Sequence, residues 1–155
     1  MSLAWGVAAF VAVAIAVFSA ARAARRALAA GLIGEICEIL TLIEGHDLEA
    51  ALARCGEGGP APSLPALPTL SYRAGLKEMA LLGAHVARLA AGFYGAAAAL
   101  QDELHGLTAA NDGERALRVS FAATELRRTY ELGDETLRAL RDIVACRLHN
   151  VVSRA

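Results

Sequence analysis

Four histidines, three cysteines and a scatter of carboxylates are the residues of this 155-residue chain whose types could hold a metal or move a proton. A metal site between helices draws its ligands at one-turn spacing, as Glu-x-x-His from two helices. His46, His85, His105 and His149 are not placed that way. Glu44 and Glu103 each stand two residues before a histidine, and the pairs His46 with Glu49 and Gln101 with His105 are isolated. This spacing predicts solvated surface histidines, with no metal and no other cofactor. Acid–base catalysis needs a carboxylate or histidine in a dry pocket. Glu35, Glu38 and Glu78 are the candidates by type, and their positions predict wet helix faces, with Glu78 close to Lys77 and Arg73. No Ser-centred elbow, phosphate loop or Gly-x-Gly-x-x-Gly fingerprint occurs. The expectation is a non-enzymatic protein with no catalytic residue and no small-molecule substrate.

Cys37, Cys55 and Cys146 make an odd set without a Cys-x-x-Cys pair. On one helix, Cys37 and Cys55 would lie about 27 Å apart, too far to bridge. They read as reduced, half-buried packing residues of a cytoplasmic domain. The net charge is −1, so no broad basic surface exists to offset nucleic-acid phosphates.

The elements that must carry these residues begin with a run, Met1 to Ala21, that has no charged side chain. About 20 such residues suffice to cross a bilayer as a helix. Trp5 suits the lipid–water interface. Val11 to Val17 alternates Val or Ile with Ala, a strand period, but a lone strand leaves its backbone unsatisfied in lipid whereas a helix does not. Arg22, Arg25 and Arg26 follow at once and predict contact with anionic headgroups at the membrane surface. By the positive-inside rule they place the N-terminus outside a bacterial inner membrane and the remaining chain in the cytoplasm. The rival is a cleaved leader with small residues at Ser19 to Ala23. That would give an exported periplasmic helical sensor or ligand-binding bundle. The basic cluster after the apolar run, and none before it, opposes this. Ala8, Ala12, Ala16 and Ala20, with Ala4 and Ala24, recur every four residues and predict a face for another membrane helix.

The spans expected from the pattern are a transmembrane helix over 1–21, a juxtamembrane helix over 22–55, a linker over 56–69 and a helical hairpin or bundle over 70–155. Leu28, Leu32, Ile36, Ile39 and Ile43 form one stripe. All four prolines fall within Gly56 to Pro68, where no helix can propagate and an extended connection is expected. Tyr72, Leu76, Met79, Gly83, Val86, Ala90 and Phe93 open a four–three seam that continues through Ala97, Leu100, Leu104 and Leu107. Such a coiled-coil-like seam predicts one helix packed along a neighbour, with close approach at Gly83 and Ala90. Tyr72, Tyr94 and Tyr130 are expected as core or half-core aromatics with wet hydroxyls. Asp112 is a candidate cap. Val119, Ala123, Leu126, Tyr130, Gly133, Leu137, Leu140 and Val144 form a last seam, in which Gly133-Asp134 could divide one helix into two. The fold class is all-α, an N-terminal helix continuing into an elongated three- or four-helix antiparallel bundle.

Tyr72-Arg-Ala-Gly75, Leu81-Leu82-Gly83, Val86 and Phe93-Tyr94, with Glu35-Ile-Cys-Glu-Ile-Leu upstream, resemble a recurrent group of small bacterial membrane proteins. The resemblance implies a single membrane helix, a helical cytoplasmic domain, and no known activity. The partners expected are membrane lipid and a protein partner or second copy, in a structural or accessory role.

Overall fold

The computed structural model describes residues 2–145, with side chains from residue 12 onward. Cys146 and His149 lie outside the described residues. The described residues are helical and connecting segments, with no strand among them. Helix α1 (Ser2–Gly45) is followed by α2 (Leu48–Gly56), α3 (Leu70–Gly75), a 3-10 helix (Leu76–Leu82), α4 (Ala84–Ala109) and α5 (Asp112–Ala145). The architecture is an all-α bundle.

Helix α1 has 44 residues, about 66 Å of rise. Its stripe of Leu32, Ile36, Ile39 and Ile43 is fully buried, and Leu28 packs at the edge of the same core. The expected unbroken helix through Cys55 instead ends at Gly45. Asp47 adopts a left-handed conformation (φ 44°), which Asp tolerates better than most residues. The chain thereby turns back, and α2 lays Leu48, Leu52 and Cys55 into the core against α5. Cys37 and Cys55 therefore stand on different helices, both as free thiols.

Residues 59–69 form no regular element, as the prolines require, yet they are not a free spacer. Leu64 is buried, and the Gln101 side chain donates to the Pro65 carbonyl at 3.4 Å. The strap thus descends along α4, and α3 with the 3-10 helix continues down beside α1.

The seam expected to run unbroken from Tyr72 is interrupted at Gly83. With φ 90° and ψ 152°, Gly83 has a backbone that essentially only glycine adopts. A Cβ there would touch nothing within 4 Å, so glycine is required at 83 by its backbone conformation and not by a close neighbour. Leu76, assigned to the same seam, is 53% exposed because this stretch winds as a 3-10 helix with another period. Met79 is buried and Tyr72 and Val86 are half-buried; from Ala90 and Phe93 onward the seam is interior.

Helix α5 is a single helix. Gly133 does not kink it but forms a notch, where an added Cβ would lie 3.1 Å from Leu40 Cδ1 and 3.2 Å from Phe93 Cε2. Asn111, and not Asp112, caps α5, its Oδ1 accepting the Glu114 N–H at 3.0 Å. Thr129 and Thr136 are buried where no apolar pattern marked them. Each hydroxyl is satisfied by the carbonyl four residues back, Glu125 at 2.7 Å and Leu132 at 2.5 Å. Val144, at the end of the expected seam, is 39% exposed.

Among residues 12–145, whose side chains are described, no helix is long and apolar enough to cross a membrane. Only residues 12–21 of the charge-free run have described side chains, and the side chain of Ala8 lies outside them.

Substituting Gly83 by Ala is expected to cost about 1–3 kcal/mol of stability, because the φ/ψ region is closed to a Cβ. Gly34→Ala, on an open face of α1 with nothing within 4 Å, is expected to gain up to about 1 kcal/mol. Denaturant unfolding followed by circular dichroism reads both, and equal effects would contradict the assigned turn.

Candidate functional site

Glu35 is 6% exposed, on the buried stripe of α1 and not on the wet face expected for it. Its position follows from helix geometry: three residues after Leu32 and four before Ile39, it shares their face. A carboxylate there needs donors to replace its hydration. Three are present. The Ser71 N–H donates to Oε2 at 2.6 Å, and the Tyr72 N–H to Oε1 at 3.1 Å. The Tyr94 hydroxyl donates to Oε1 at 2.6 Å.

Each donor has a local reason to point at Glu35. Thr69 is the residue preceding α3, and its side chain makes no capping bond. Ser71 and Tyr72 then hold the N–H groups that a capping side chain would ordinarily take. Glu35 caps α3 from across the bundle. Tyr94 comes from α4 one residue beyond the buried Phe93, and its ring stacks on Tyr72 at 4.0 Å and 16°. Burial raises the Tyr94 phenol above its ordinary value, the hydrogen bond to Glu35 adds to this, and the charge of Glu35 and Tyr72 follow. The hydroxyl expected to be wet is therefore a buried donor.

Both carboxylate oxygens are engaged by protein groups, and the arrangement ties α1, α3 and α4 together. Glu38 and Glu78 are exposed, as are His46, His85 and His105. Among the described residues no cluster of three or more His, Cys, Asp or Glu could hold a metal ion.

A second feature lies N-terminal to the buried stripe. Arg22 and Arg25 are exposed and Arg26 is half-buried. Arg25 donates to the Leu82 carbonyl at 3.4 Å, bracing the end of the 3-10 helix on α1. N-terminal to these arginines, Ala12, Ala16 and Ala20 are exposed, and so are Val13, Ile15, Val17 and Phe18. A groove between α2 and α5, about 340 Å³, is lined by Leu52, Val119, Leu126 and Tyr130, with Glu49 and Arg127 at its edge. Burial raises the Tyr130 phenol, with Glu44 and Glu49 adding to it.

Fold and site together define a helical bundle latched by a buried carboxylate, with an apolar helix projecting from it. No family model, curated protein or solved structure matches this chain.

Glu35 was visible by type, but the tyrosine and backbone partners were not, because they come together only when the strap returns the chain to α1. Glu35→Gln is expected to cost about 1.5–3 kcal/mol, and Tyr94→Phe about 1–2 kcal/mol, by denaturant unfolding. A tyrosine whose folded pKa is raised contributes stability that is present below its unfolded pKa and lost above it. The stability of the wild-type protein should therefore fall as pH rises above about 10, and Tyr94→Phe should flatten that slope. An unchanged slope in the variant would remove Tyr94 as its source.

Proposed function

We propose that the chain is a non-enzymatic, single-pass protein of a bacterial inner membrane, with its N-terminus outside and its helical bundle in the cytoplasm. It acts as a structural or accessory subunit, packing its membrane helix against that of a second copy or of a larger assembly. The observation that carries this reading is the change of surroundings along α1. From Ala29 its stripe is buried at 0% exposure, whereas Val13, Ile15, Val17 and Phe18 are 61–76% exposed. The change falls across Arg22, Arg25 and Arg26.

Four large apolar side chains within six residues, all exposed among the described residues, favour an apolar surround. Burying each is worth roughly 1.5–3 kcal/mol. The charge-free run to which they belong is long enough for lipid, and its helical backbone satisfies itself there. The three arginines support the orientation. The exposed Ala12, Ala16 and Ala20 support close helix packing on that face. The saturated Glu35 site supports a structural reading over a catalytic one.

The chain expressed in bacteria is expected to stay in the membrane pellet after alkaline carbonate washing, at its full intact mass. A chain shortened near Ala21, or released by the wash, would overturn the anchored reading and favour the exported one. A fluorescent reporter fused at the C-terminus, active only in the cytoplasm, is expected to be active. Ala12→Leu with Ala16→Leu should weaken association in membranes, read by cross-linking or co-purification in mild detergent. Unchanged association would show that the ladder is not a packing face.

A further inference from the structure

At the foot of the bundle a hollow of about 670 Å³ opens between α1 and the 3-10 helix. Its apolar wall is Ile15 and Phe18 from α1 and Leu81 from the 3-10 helix, with Arg22 and Arg25 above. We propose that this hollow binds an acidic phospholipid, the phosphate held by Arg22 and Arg25 and an acyl chain lying on Phe18, Ile15 and Leu81. The proposal rests on the membrane-anchored reading and adds a specific lipid site to it.

The order of the groups along α1 is the order in a phospholipid. Phe18 lies about 6 Å and Ile15 about 10 Å from Arg22 along the helix axis, toward the N-terminus. In the proposed orientation those residues point toward the hydrocarbon and the arginines toward the headgroups. Leu81, on a different element, completes the apolar wall at this level and is 38% exposed. A single helix would offer lipid only a convex surface. The 3-10 helix makes the surface concave, and a concave apolar site with a few polar groups is the form that binds one molecule.

Charge selects the occupant. Guanidinium groups bind phosphate through paired N–H donors. Arg25 is braced by the Leu82 carbonyl, which orients it and leaves further N–H groups free. Asp142 shares a neighbouring hollow with the arginines. Among the described residues, however, none of the three arginines forms an ion pair within 4.0 Å. An apolar wall beneath unpaired guanidinium groups fits an anionic amphiphile better than a neutral lipid or free phosphate.

The test uses the full chain in a mild non-ionic detergent and reads its melting temperature on addition of phosphatidylglycerol, phosphatidylcholine or inorganic phosphate. Phosphatidylglycerol is expected to raise it, and the other two are not. Arg22→Gln should weaken the phosphatidylglycerol effect about fivefold in apparent affinity, and Arg22→Gln with Arg25→Gln more. Leu81→Ser should reduce it without changing the charge. Because Arg25 also braces the 3-10 helix, Arg22→Gln alone is the deciding charge variant. An equal response to phosphatidylcholine, an equal response to inorganic phosphate, or an undiminished response in Arg22→Gln would each overturn the site. Carbonate washing of the same membranes separates the two failures. An integral protein without lipid selectivity loses only this site, whereas a washed-out protein loses the anchored reading as well.

Discussion

A carboxylate withdrawn from water must find donors within the protein or give up its charge, and Glu35 finds three. Two are backbone N–H groups at the start of α3, which fixes where that helix begins and against which turn of α1 it lies. The third, from Tyr94, fixes α4 to the same point. The descent of the chain from the proline strap to the foot of the bundle is set by this one side chain. Tyr72 stacked on Tyr94 closes the latch from the solvent side with apolar contact. Apolar packing alone would bring these elements together but would tolerate sliding. The short, directional bonds to a single carboxylate do not.

Helix α1 is one continuous rod in two surroundings. Its C-terminal half has the stripe of a bundle helix, buried against α5 and the strap-borne segment. Its N-terminal half has no stripe, because apolar residues of similar kind lie on every side. A helix that is apolar all round belongs in a core or in lipid. Among the described residues, nothing packs over residues 12–21 as α5 packs over the stripe, and their side chains are mostly exposed. The arginines stand where the two patterns meet. Local sequence and tertiary packing thus change at the same place along α1.

The all-helical character, the stripe of α1 and the interior half of the α4 seam were legible from period alone, whereas the division into α2, α3 and the 3-10 helix was not. Each is a local pattern that tertiary packing confirms and does not need to create. What was not legible depended on contacts distant in sequence or on backbone conformation. Gly83 was read as a small packing residue because in a helix glycine means close approach, whereas its positive φ is what requires glycine there. Gly133-Asp134 left one helix or two open because glycine is a poor helix former, whereas in the single helix a notch for Leu40 and Phe93 outweighs about 1 kcal/mol of propensity. Glu35 was assigned to water on charge, although its spacing from Leu32 and Ile39 placed it on the buried face. Charge type outweighed position in that reading, and the missing partners, Ser71, Tyr72 and Tyr94, lie 36 or more residues away in the chain. His46, His85 and His105 were simpler to place, because exposed positions need no partner distant in the chain.

The 3-10 winding of Leu76–Leu82 is where the latch and the foot of the bundle meet. A 3-10 helix rises about 2 Å per residue against 1.5 Å for an α-helix, so the same residues reach farther along a neighbour. The segment is pinned at its upper end, through α3, by Glu35, and at its lower end by Arg25 on the Leu82 carbonyl. Between these points it must follow α1 closely, and Gly75 is the contact. A Cβ there would run into the Leu28 side chain. Winding tightly spends the hydrogen-bond geometry of an ordinary helix but keeps Met79 and Leu82 inward and turns Leu81 outward beside Phe18. An α-helical segment of equal length would end about 3.5 Å short of Arg25, too far for the Leu82 carbonyl to meet it. The concave foot is therefore a consequence of how the strap is held, and Glu35, about 15 Å farther along α1 than Arg25, is what holds it.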